Sequence, residues 1–575
     1  MSGVDEFEAV PVRPKQLAPA RRFAASYAGE HVAGTEFVIG AMFVAWGVSA
    51  GDVLWGLLWG NLLAVLTWGL ICAPIATQTR LTLYAYLSRI GGPGILKLYS
   101  VVNGALFCVL AGAMITVSAS AVRILFDIPP QVHWYPSSPG FVLIALAVGA
   151  VVTFVAIKGF RQVARFAEVC APWMILMFAA GALALLPVLY SSTPGAAEAG
   201  AFEGFIRVAD AHIWRVGGSG LTVWHVAAFA WICNLAMHGG LSDMTLLRFA
   251  RKSSYGYFSV LGMFIGHYLA WVFAGIMGAG AALLLQAPIT RIDAGEVAYR
   301  ALGAAGIVAV IIAGWTTSNP TIYRAGLAFQ SLNPRWNRTL VTAITGVVTT
   351  LVACFPFVFS KLMDFVGVMG LVLAPVGAVI VAEHWMFPKL GLTRYWVRYS
   401  QLPLNRPAVI AWGGALLAAW ILERLGLHLF FLLLPTWLVA TVLYLALAAL
   451  MGARRDYAGQ AARFEQAETD RRERELRYLQ QLEARGPEPG SKGAAHLKLQ
   501  LARGIALLSL GTCAVMALLV FVGSSLEVFR DWLILPSVIY FMAATIWAGE
   551  REKLDSAAEQ DEPASEAADR QGVHT

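Results

Sequence analysis

The stretch Gly314-Trp-Thr-Thr-Ser-Asn-Pro-Thr-Ile-Tyr-Arg-Ala-Gly326 lies near the end of a long apolar run. Three hydroxyl residues, an Asn and a Pro follow one another from Thr316 to Pro320, where a helix that faces lipid would carry apolar side chains. Unpaired polar groups are costly in hydrocarbon, so this cluster must face other helices, water or a ligand. The adjacent hydroxyls of Thr316 and Thr317 suit a small hard cation. The alternative is that they only bond back to the preceding helical turn.

The rest of the chain is equally apolar. It has 575 residues, of which 58% are hydrophobic and 13% are charged, and its mean hydropathy is +0.65. A spanning helix needs roughly 20 apolar residues. Runs of this kind predict an all-α polytopic membrane protein with about fourteen spans, numbered here from one to fourteen: 27–50, 53–77, 98–124, 140–157, 169–190, 221–241, 257–286, 301–328, 339–360, 364–387, 407–424, 429–451, 503–523 and 532–549.

The positions of the basic residues predict the orientation in the membrane. The net charge is +7, and Lys and Arg concentrate in alternate loops, as in Lys158-Gly-Phe-Arg161 and Arg251-Lys252. Because basic loops stay on the cytoplasmic side, both termini are predicted to be cytoplasmic in an inner membrane. The positive charge thus reports topology and gives no indication of a nucleic-acid partner. The six cysteines all fall inside predicted spans and are expected to be free thiols.

Spans one and six carry polar residues at matching places. His31 precedes Glu36 by five residues with a Gly between them, and His238 precedes Asp243 in the same way. Interrupted helices at corresponding positions of two halves indicate a transporter built from two inverted five-span repeats. Intramembrane acids are functional candidates, so Glu36, Asp243 and His238 are candidates for proton coupling. The alternatives are a chance similarity of two short windows, and acids that lie at a wetted helix end.

Changes in composition divide the chain into six segments. We expect a cytoplasmic tail at 1–24, a ten-span core at 25–388, spans eleven and twelve at 389–452, a charged arm at 453–500, two extra spans at 501–549 and a disordered acidic tail at 550–575. The arm is expected to be a solvated surface helix, with a coiled-coil partner helix as the alternative.

Four segments together resemble the nucleobase–cation symporter family, and within it the cytosine permeases. They are Gly60-Asn61 in span two, Leu247-Arg-Phe-Ala-Arg-Lys252 after span six, Trp315-Thr-Thr-Ser-Asn319 with Tyr323 and Gly326 in span eight, and Ala374-Pro-Val-Gly-Ala-Val-Ile-Val-Ala-Glu383 in span ten. The resemblance covers about residues 25–450 and leaves spans thirteen and fourteen outside it.

This resemblance implies the leucine-transporter type fold, in which helices one and six are unwound at mid-membrane. It implies uptake of a nucleobase or related ring coupled to Na⁺ or H⁺, with no other cofactor. The implied Na⁺ ligands are carbonyls of helix one and a carbonyl and two hydroxyls of helix eight. They fall on Gly29, Val32, Ala313, Thr316 and Thr317.

The resemblance also supplies candidates for the substrate site. The stacking aromatic of helix six falls on Trp231, next to Ala230, with a packing role as the alternative. Asn234 and Asn319 are candidates from their own chemistry, because an amide donates and accepts as a nucleobase edge requires; the alternative is that they satisfy the exposed end of a half-helix. The remaining candidates lie in spans one and three: Ala33, Leu106, Phe107 and Leu110. Leu106 and Leu110 stand where some members carry a Trp and a Gln, so one stacking ring and one amide are missing. The substrate is correspondingly open.

The sequence therefore predicts a cation-coupled importer of a small planar N-heterocycle such as cytosine or a purine. Its predicted partners are that small molecule and the lipid bilayer, and its oligomeric state is open. The same fold carrying an amino acid, an amine or a vitamin precursor is the first alternative, and a transporter-like sensor is the second. No nucleotide-binding loop, metal spacing or nucleophile motif predicts an enzyme.

Overall fold

The computed structural model describes residues 10–30, 34–158, 160–217, 219–333, 335–485 and 494–560, and these residues are nearly all helical. The prediction of an all-α chain is confirmed. Ten helices of the described residues are long and apolar enough to cross a membrane: Ala50–Thr79, Leu83–Phe126, Pro139–Ile157, Glu168–Ser191, Ser253–Leu285, Ala304–Gln330, Lys361–Lys389, Leu433–Ala453, Leu497–Phe521 and Leu526–Lys553. They correspond to spans two to five, seven, eight, ten and twelve to fourteen.

Three of the other four predicted spans are built from shorter helices, and span eleven is one helix of 19 residues. Span one consists of Ala20–Glu30 and Gly34–Val44, and residues 31–33 between them lie outside the described residues. Span nine is Arg338–Ala353, and span eleven is Arg406–Arg424. Span six begins with Val223–Ile232 and is then interrupted. The predicted spans are therefore all found as helices, although fewer of them reach full membrane length as one piece.

The break in span six follows from its backbone conformation. After Ile232 the chain forms two single turns, Leu235–His238 and Met244–Leu247. Leu241 between them has a φ of 63°, a left-handed conformation that a regular helix of L-residues does not adopt. The polar stretch that the sequence singled out is thus a true interruption, and its side chains can project into the centre of the protein.

The core spans form two contact groups. In the first, span two packs on span six, and span seven packs on both halves of span one. In the second, span eight packs on span three, and span nine packs on spans three and four. Gly34 brings the groups together, because a Cβ on it would lie 3.1 Å from the backbone nitrogen of Gly314 in span eight.

Among the described residues, wide π-helical turns lie inside spans two, seven and ten, apart from one that ends span twelve at Ala449–Ala453. They occur at Trp68–Cys72 in span two, Gly262–Leu269 in span seven and Ala382–Met386 in span ten. Each contains a buried polar or titratable side chain that contacts a neighbouring span, such as His267 in span seven. Such turns are frequent at functional sites because they redirect side chains within a helix.

The side chains that face outward agree with a lipid environment. Large apolar residues are exposed along the spans, among them Trp55, Leu143, Leu434 and Leu508. The six cysteines are free and are buried or half-buried, as predicted. Spans thirteen and fourteen pack on span five, where the Trp173 indole donates to Ser537 Oγ at 2.9 Å.

Two expectations for the C-terminal part need correction. The arm forms the helix Ala458–Arg485, but it packs on the core through an ion pair between Glu475 and buried Arg80 and so is not a fully solvated helix. Span fourteen continues as helix to Gln560, so 550–560, the first eleven residues of the segment expected to be disordered, are helical. The chain is helical there because the sequence from Glu550 onward is rich in residues with high helix propensity. Residues 561–575 lie outside the described residues.

Candidate substrate and cation site

Three oxygens converge on one face of span eight. Thr316 Oγ1 lies 3.0 Å from the carbonyl oxygen of Ala313, and Thr317 Oγ1 lies 3.2 Å from the same oxygen. Both hydroxyls donate to this carbonyl, so the bonding to the preceding turn expected as the alternative is present. The same arrangement brings together three hard oxygen atoms, which are the ligands that a small monovalent cation requires. The residues present therefore fit a Na⁺ ion.

Span one approaches this face at its second helix. Gly34 packs against Gly314, directly beside Ala313, and the side chain of Val117 from span three closes the contact. A Cβ on Gly34 would lie 3.1 Å and 3.2 Å from the backbone N and Cα of Gly314, so a side chain here would push the two spans apart by a few tenths of an ångström. Gly29 lies in the first helix of span one, while Val32 and Ala33 lie outside the described residues.

Asn319 follows on the same span and is 1% exposed. Within the described part of the chain, neither Oδ1 nor Nδ2 of Asn319 has a hydrogen-bond partner. A buried amide without partners costs free energy, and such groups are normally satisfied. An amide that offers one donor and one acceptor together matches the edge of a nucleobase or a cyclic imide.

The break in span six places a buried carboxylate against two neighbouring spans. Asp243 Oδ2 accepts hydrogen bonds from the Tyr27 hydroxyl at 2.6 Å and from the Trp68 indole at 2.8 Å. Asp243 is 3% exposed, so it does not lie at a wetted helix end. The His238 ring lies tilted against Trp68, with 4.8 Å between ring centroids, and His238 donates from Nε2 to the carbonyl of Trp231 at 2.9 Å. These contacts hold both halves of the interrupted helix.

A second buried cluster joins spans one, six and seven. His267 Nε2 lies 3.6 Å from Glu36 Oε1 and 3.3 Å from Asn234 Nδ2. The His267 ring stacks on Trp271 with 4.4 Å between ring centroids, which fixes its orientation. Without a proton on Nε2, this nitrogen can accept from the amide of Asn234. With a proton there, it can instead donate toward the carboxylate of Glu36.

His267 was not found from the sequence. A single His in the apolar run of span seven has no periodic or paired signal, and its partner Glu36 lies in a distant span. The wide turn Gly262–Leu269 that aims it inward has no clear marker either. Glu36 and Asn234 were candidates, and the structure brings these two together through His267.

The remaining substrate candidates lie on spans three and six. The indole of Trp231 donates to Thr67 Oγ1 of span two at 3.1 Å, so its ring is anchored on that side. Ala230 and Phe107 are buried. Leu106 and Leu110 are half-buried and pack against the apolar core. The stacking role of Trp231 stays a prediction.

Aromatic rings cluster at the C-terminal end of the second helix of span one. Trp46, just after the second helix of span one, stacks on Phe430 at 5.6 Å between centroids. Phe229 of span six contacts both rings, at 5.7 Å and 5.2 Å. This cluster ties spans one and six to the segment that precedes span twelve.

Comparison with known proteins agrees with this architecture. No family model matches the chain. The chain is 24% identical to the cytosine permease of Escherichia coli (strain K12) over 198 residues, which are 33% of this chain and 42% of the permease. The match therefore spans less than half the length of that relative.

Solved structures match over far more of the chain. One is a structure of Mhp1, a nucleobase-cation-symport-1 family transporter, in a closed conformation with bromovinylhydantoin bound. It aligns with a TM-score of 0.58 and 15% sequence identity, over 81% of this chain and 99% of the Mhp1 chain. The inward-facing conformation of Mhp1 gives a TM-score of 0.59 and 14% identity over 80% of this chain and 96% of that chain.

The chain shares the fold of Mhp1. A Na⁺-coupled sialic acid symporter in a substrate-bound outward-open state is also similar, with a TM-score of 0.52 and 14% identity over 76% of this chain and 92% of the symporter. The predicted leucine-transporter type fold and the predicted resemblance to nucleobase–cation symporters are thereby confirmed.

Proposed function

We propose that the chain is a secondary active transporter that couples uptake of a nucleobase, or a related N-heterocycle, to Na⁺ or H⁺. The observation that carries this proposal is Asn319, whose buried amide leaves a donor and an acceptor without partners among the described residues. A planar ring with adjacent N–H and C=O groups would satisfy both at once. The names of the similar proteins, a cytosine permease and a hydantoin-bound transporter, support the same substrate class.

The cation site in this proposal lies on span eight. The Ala313 carbonyl and the hydroxyls of Thr316 and Thr317 would hold Na⁺ together with the carbonyls of Gly29 and Val32 in span one. A bound Na⁺ supplies positive charge that draws the two spans together. The close packing of Gly34 on Gly314 supports this arrangement, since it leaves little space between the spans.

Proton coupling has its best candidate in Glu36, with His267 as its partner. The position of His267 Nε2 between a carboxylate and an amide gives the imidazole two alternative bonding arrangements, and a proton selects between them. Asp243 and His238 remain candidates at the break in span six. The existing donors from Tyr27 and Trp68 give Asp243 a role in holding the broken helix as well.

Transport would proceed by alternating access. Spans one, two, six and seven, which contain both interruptions, would rock against spans three, four, eight and nine. The basic loops would place the end that carries residues 10–20 in the cytoplasm of an inner membrane. Substrate would then enter from the end that carries Trp46 and Phe430.

A second candidate keeps the fold and changes the cargo to another small solute, such as an amino acid, an amine or a vitamin precursor. It is favoured by Leu106 and Leu110, which offer apolar surface where a stacking ring and an amide were expected. A solute with less aromatic surface than a nucleobase would fit the apolar surface of Leu106 and Leu110 better.

The deciding experiment is uptake of radiolabelled cytosine by proteoliposomes, with Na⁺ and pH gradients imposed separately. We expect uptake that depends on one of the two gradients and that Asn319→Ala abolishes. The matched control is Asn333→Ala, which removes an amide from the loop after span eight and should leave uptake unchanged. Absence of cytosine uptake, with binding of an amino acid or amine in a thermal-shift screen, would favour the second candidate.

A further inference from the structure

The arm, Ala458–Arg485, lies across one face of the core. This face, called the N-terminal face here, is formed by residues 10–20 and by the ends of spans two and six that they contact. The Arg80 side chain at the end of span two is 2% exposed and pairs with Glu475 of the arm, which is 14% exposed. Arg80 Nε donates to Glu475 Oε2 at 3.0 Å. The arm is therefore docked on the core, because its Glu475 carboxylate is the counter-ion of the buried Arg80 guanidinium.

Arg80 is also the junction of the N-terminal face. Its Nη1 donates to the carbonyls of Arg248 and Ala250, at 3.0 Å and 2.5 Å, beyond the break in span six. Its own carbonyl accepts from the amide of Val12 at 3.0 Å. Ala18 adds a bond to the Phe249 carbonyl at 2.8 Å. Through Glu475 the arm therefore holds the segment ahead of span one and the ends of spans two and six.

The other end of the arm contacts different spans. Phe464 packs on Tyr395, in the connection between spans ten and eleven, with ring centroids 4.7 Å apart. The guanidinium groups of Arg89 and Arg398 lie over the Phe464 ring at 5.7 Å and 6.0 Å. Arg89 belongs to the segment that leads into span three. The arm thus joins spans two and six, in the first contact group, to the start of the helix that continues into span three, ahead of its kink at Gly92, and to the connection after span ten.

We propose that the arm is a strap that keeps the N-terminal face of the transporter closed, and that this face opens only when the strap is released. Rocking of the two contact groups apart at this face would separate Glu475 from Arg80 or Phe464 from Arg89, because one rigid helix cannot follow both. This inference rests on the proposed transport function, in which opening of this face is one step. The arm would then set how often that step occurs.

The test measures hydrogen exchange of the full chain in nanodiscs by mass spectrometry, in the peptide that covers residues 10–20. Glu475→Gln removes the charge that pairs with Arg80, and Phe464→Ala loosens the other end without leaving a buried charge. The matched control is Glu473→Gln, since Glu473 is 62% exposed and its ion pair among the described residues is with Arg477, one turn along the arm. Circular dichroism checks that all three variants are folded.

We expect exchange of residues 10–20 to become at least roughly tenfold faster in Glu475→Gln and in Phe464→Ala, and to stay at the wild-type rate in the control. Wild-type exchange in either of the first two variants would overturn the strap, as would equal acceleration in the control. The readout needs no substrate. If the wild-type protein does not take up cytosine, the proposed function is refuted and the strap is not. If the wild-type protein takes up cytosine but both variants exchange residues 10–20 at the wild-type rate, the strap is refuted and the proposed function is not.

Discussion

Gly377 of span ten packs against the interruption in span six, and its substitution gives a sharp test of that packing. A Cβ on Gly377 would lie 1.8 Å from the carbonyl oxygen of Gly239 and 3.2 Å from the Cα of Gly240. Contacts below 3.0 Å are essentially never observed for real Cβ atoms. The backbone of either span six or span ten must therefore move by more than about 1 Å. Such a shift is costly because the interior is close-packed.

Overpacking of this kind costs about 1–3 kcal/mol. The upper part of that range applies here because the opposing atom belongs to the backbone and cannot rotate away. Gly377→Ala should therefore lower the midpoint of thermal unfolding, followed by tryptophan fluorescence of the purified protein. It should also weaken substrate binding, because the displaced carbonyl lies in the interrupted helix.

The matched control is Gly413→Ala in span eleven, where an added Cβ meets nothing within 4 Å. Replacement of glycine in an unstrained helix stabilises by up to about 1 kcal/mol, so this variant should unfold at or above the wild-type midpoint. A midpoint of Gly377→Ala that is no lower than that of Gly413→Ala would refute the close approach of spans six and ten.

Three further perturbations test the site and the added spans. Thr317→Ala should weaken Na⁺ binding and cytosine binding together, as measured by calorimetry. Thr321→Ala removes a hydroxyl that donates to the Thr317 carbonyl one turn later and should affect neither. Equal effects of the two substitutions would mean that both hydroxyls only donate to the preceding helical turn. Glu36→Gln should abolish uptake driven by a pH gradient and preserve cytosine counterflow, and pH-driven uptake at the wild-type rate would contradict its role. Ser537→Ala should lower the free energy of unfolding by about 1–3 kcal/mol because it leaves the Trp173 indole without its acceptor, and an unchanged unfolding midpoint would count against that bond.

Much of the architecture is local in origin and could be predicted. Each span is a run of apolar residues, and hydrocarbon permits little except a helix there. The interruption at Asn234–Asp243 was predictable because its glycines and polar groups oppose a continuous helix. The left-handed Leu241 at its centre was not, since nothing in a single leucine marks that conformation.

Pairings between distant residues account for what the sequence did not reveal. The contact of His267 with Glu36 depends on a wide turn in span seven that directs the imidazole inward. The docking of the arm is hidden in the sequence for a similar reason. Its many charges are typical of a solvated helix, whereas the ion pair that docks it joins Glu475 to Arg80, which lies far away in the chain.

The arm differs from a separate regulatory subunit because the chain enters the membrane on both sides of it. It follows span twelve, which ends at Ala453, and precedes the helix that begins at Ala494. A segment anchored at both ends cannot diffuse away after it detaches, and its effective concentration at the docking surface is on the order of millimolar. Rebinding is then intramolecular and independent of protein concentration. A soluble competitor for the Arg80 surface would have to overcome that local concentration, whereas a change of charge on the arm itself would act directly.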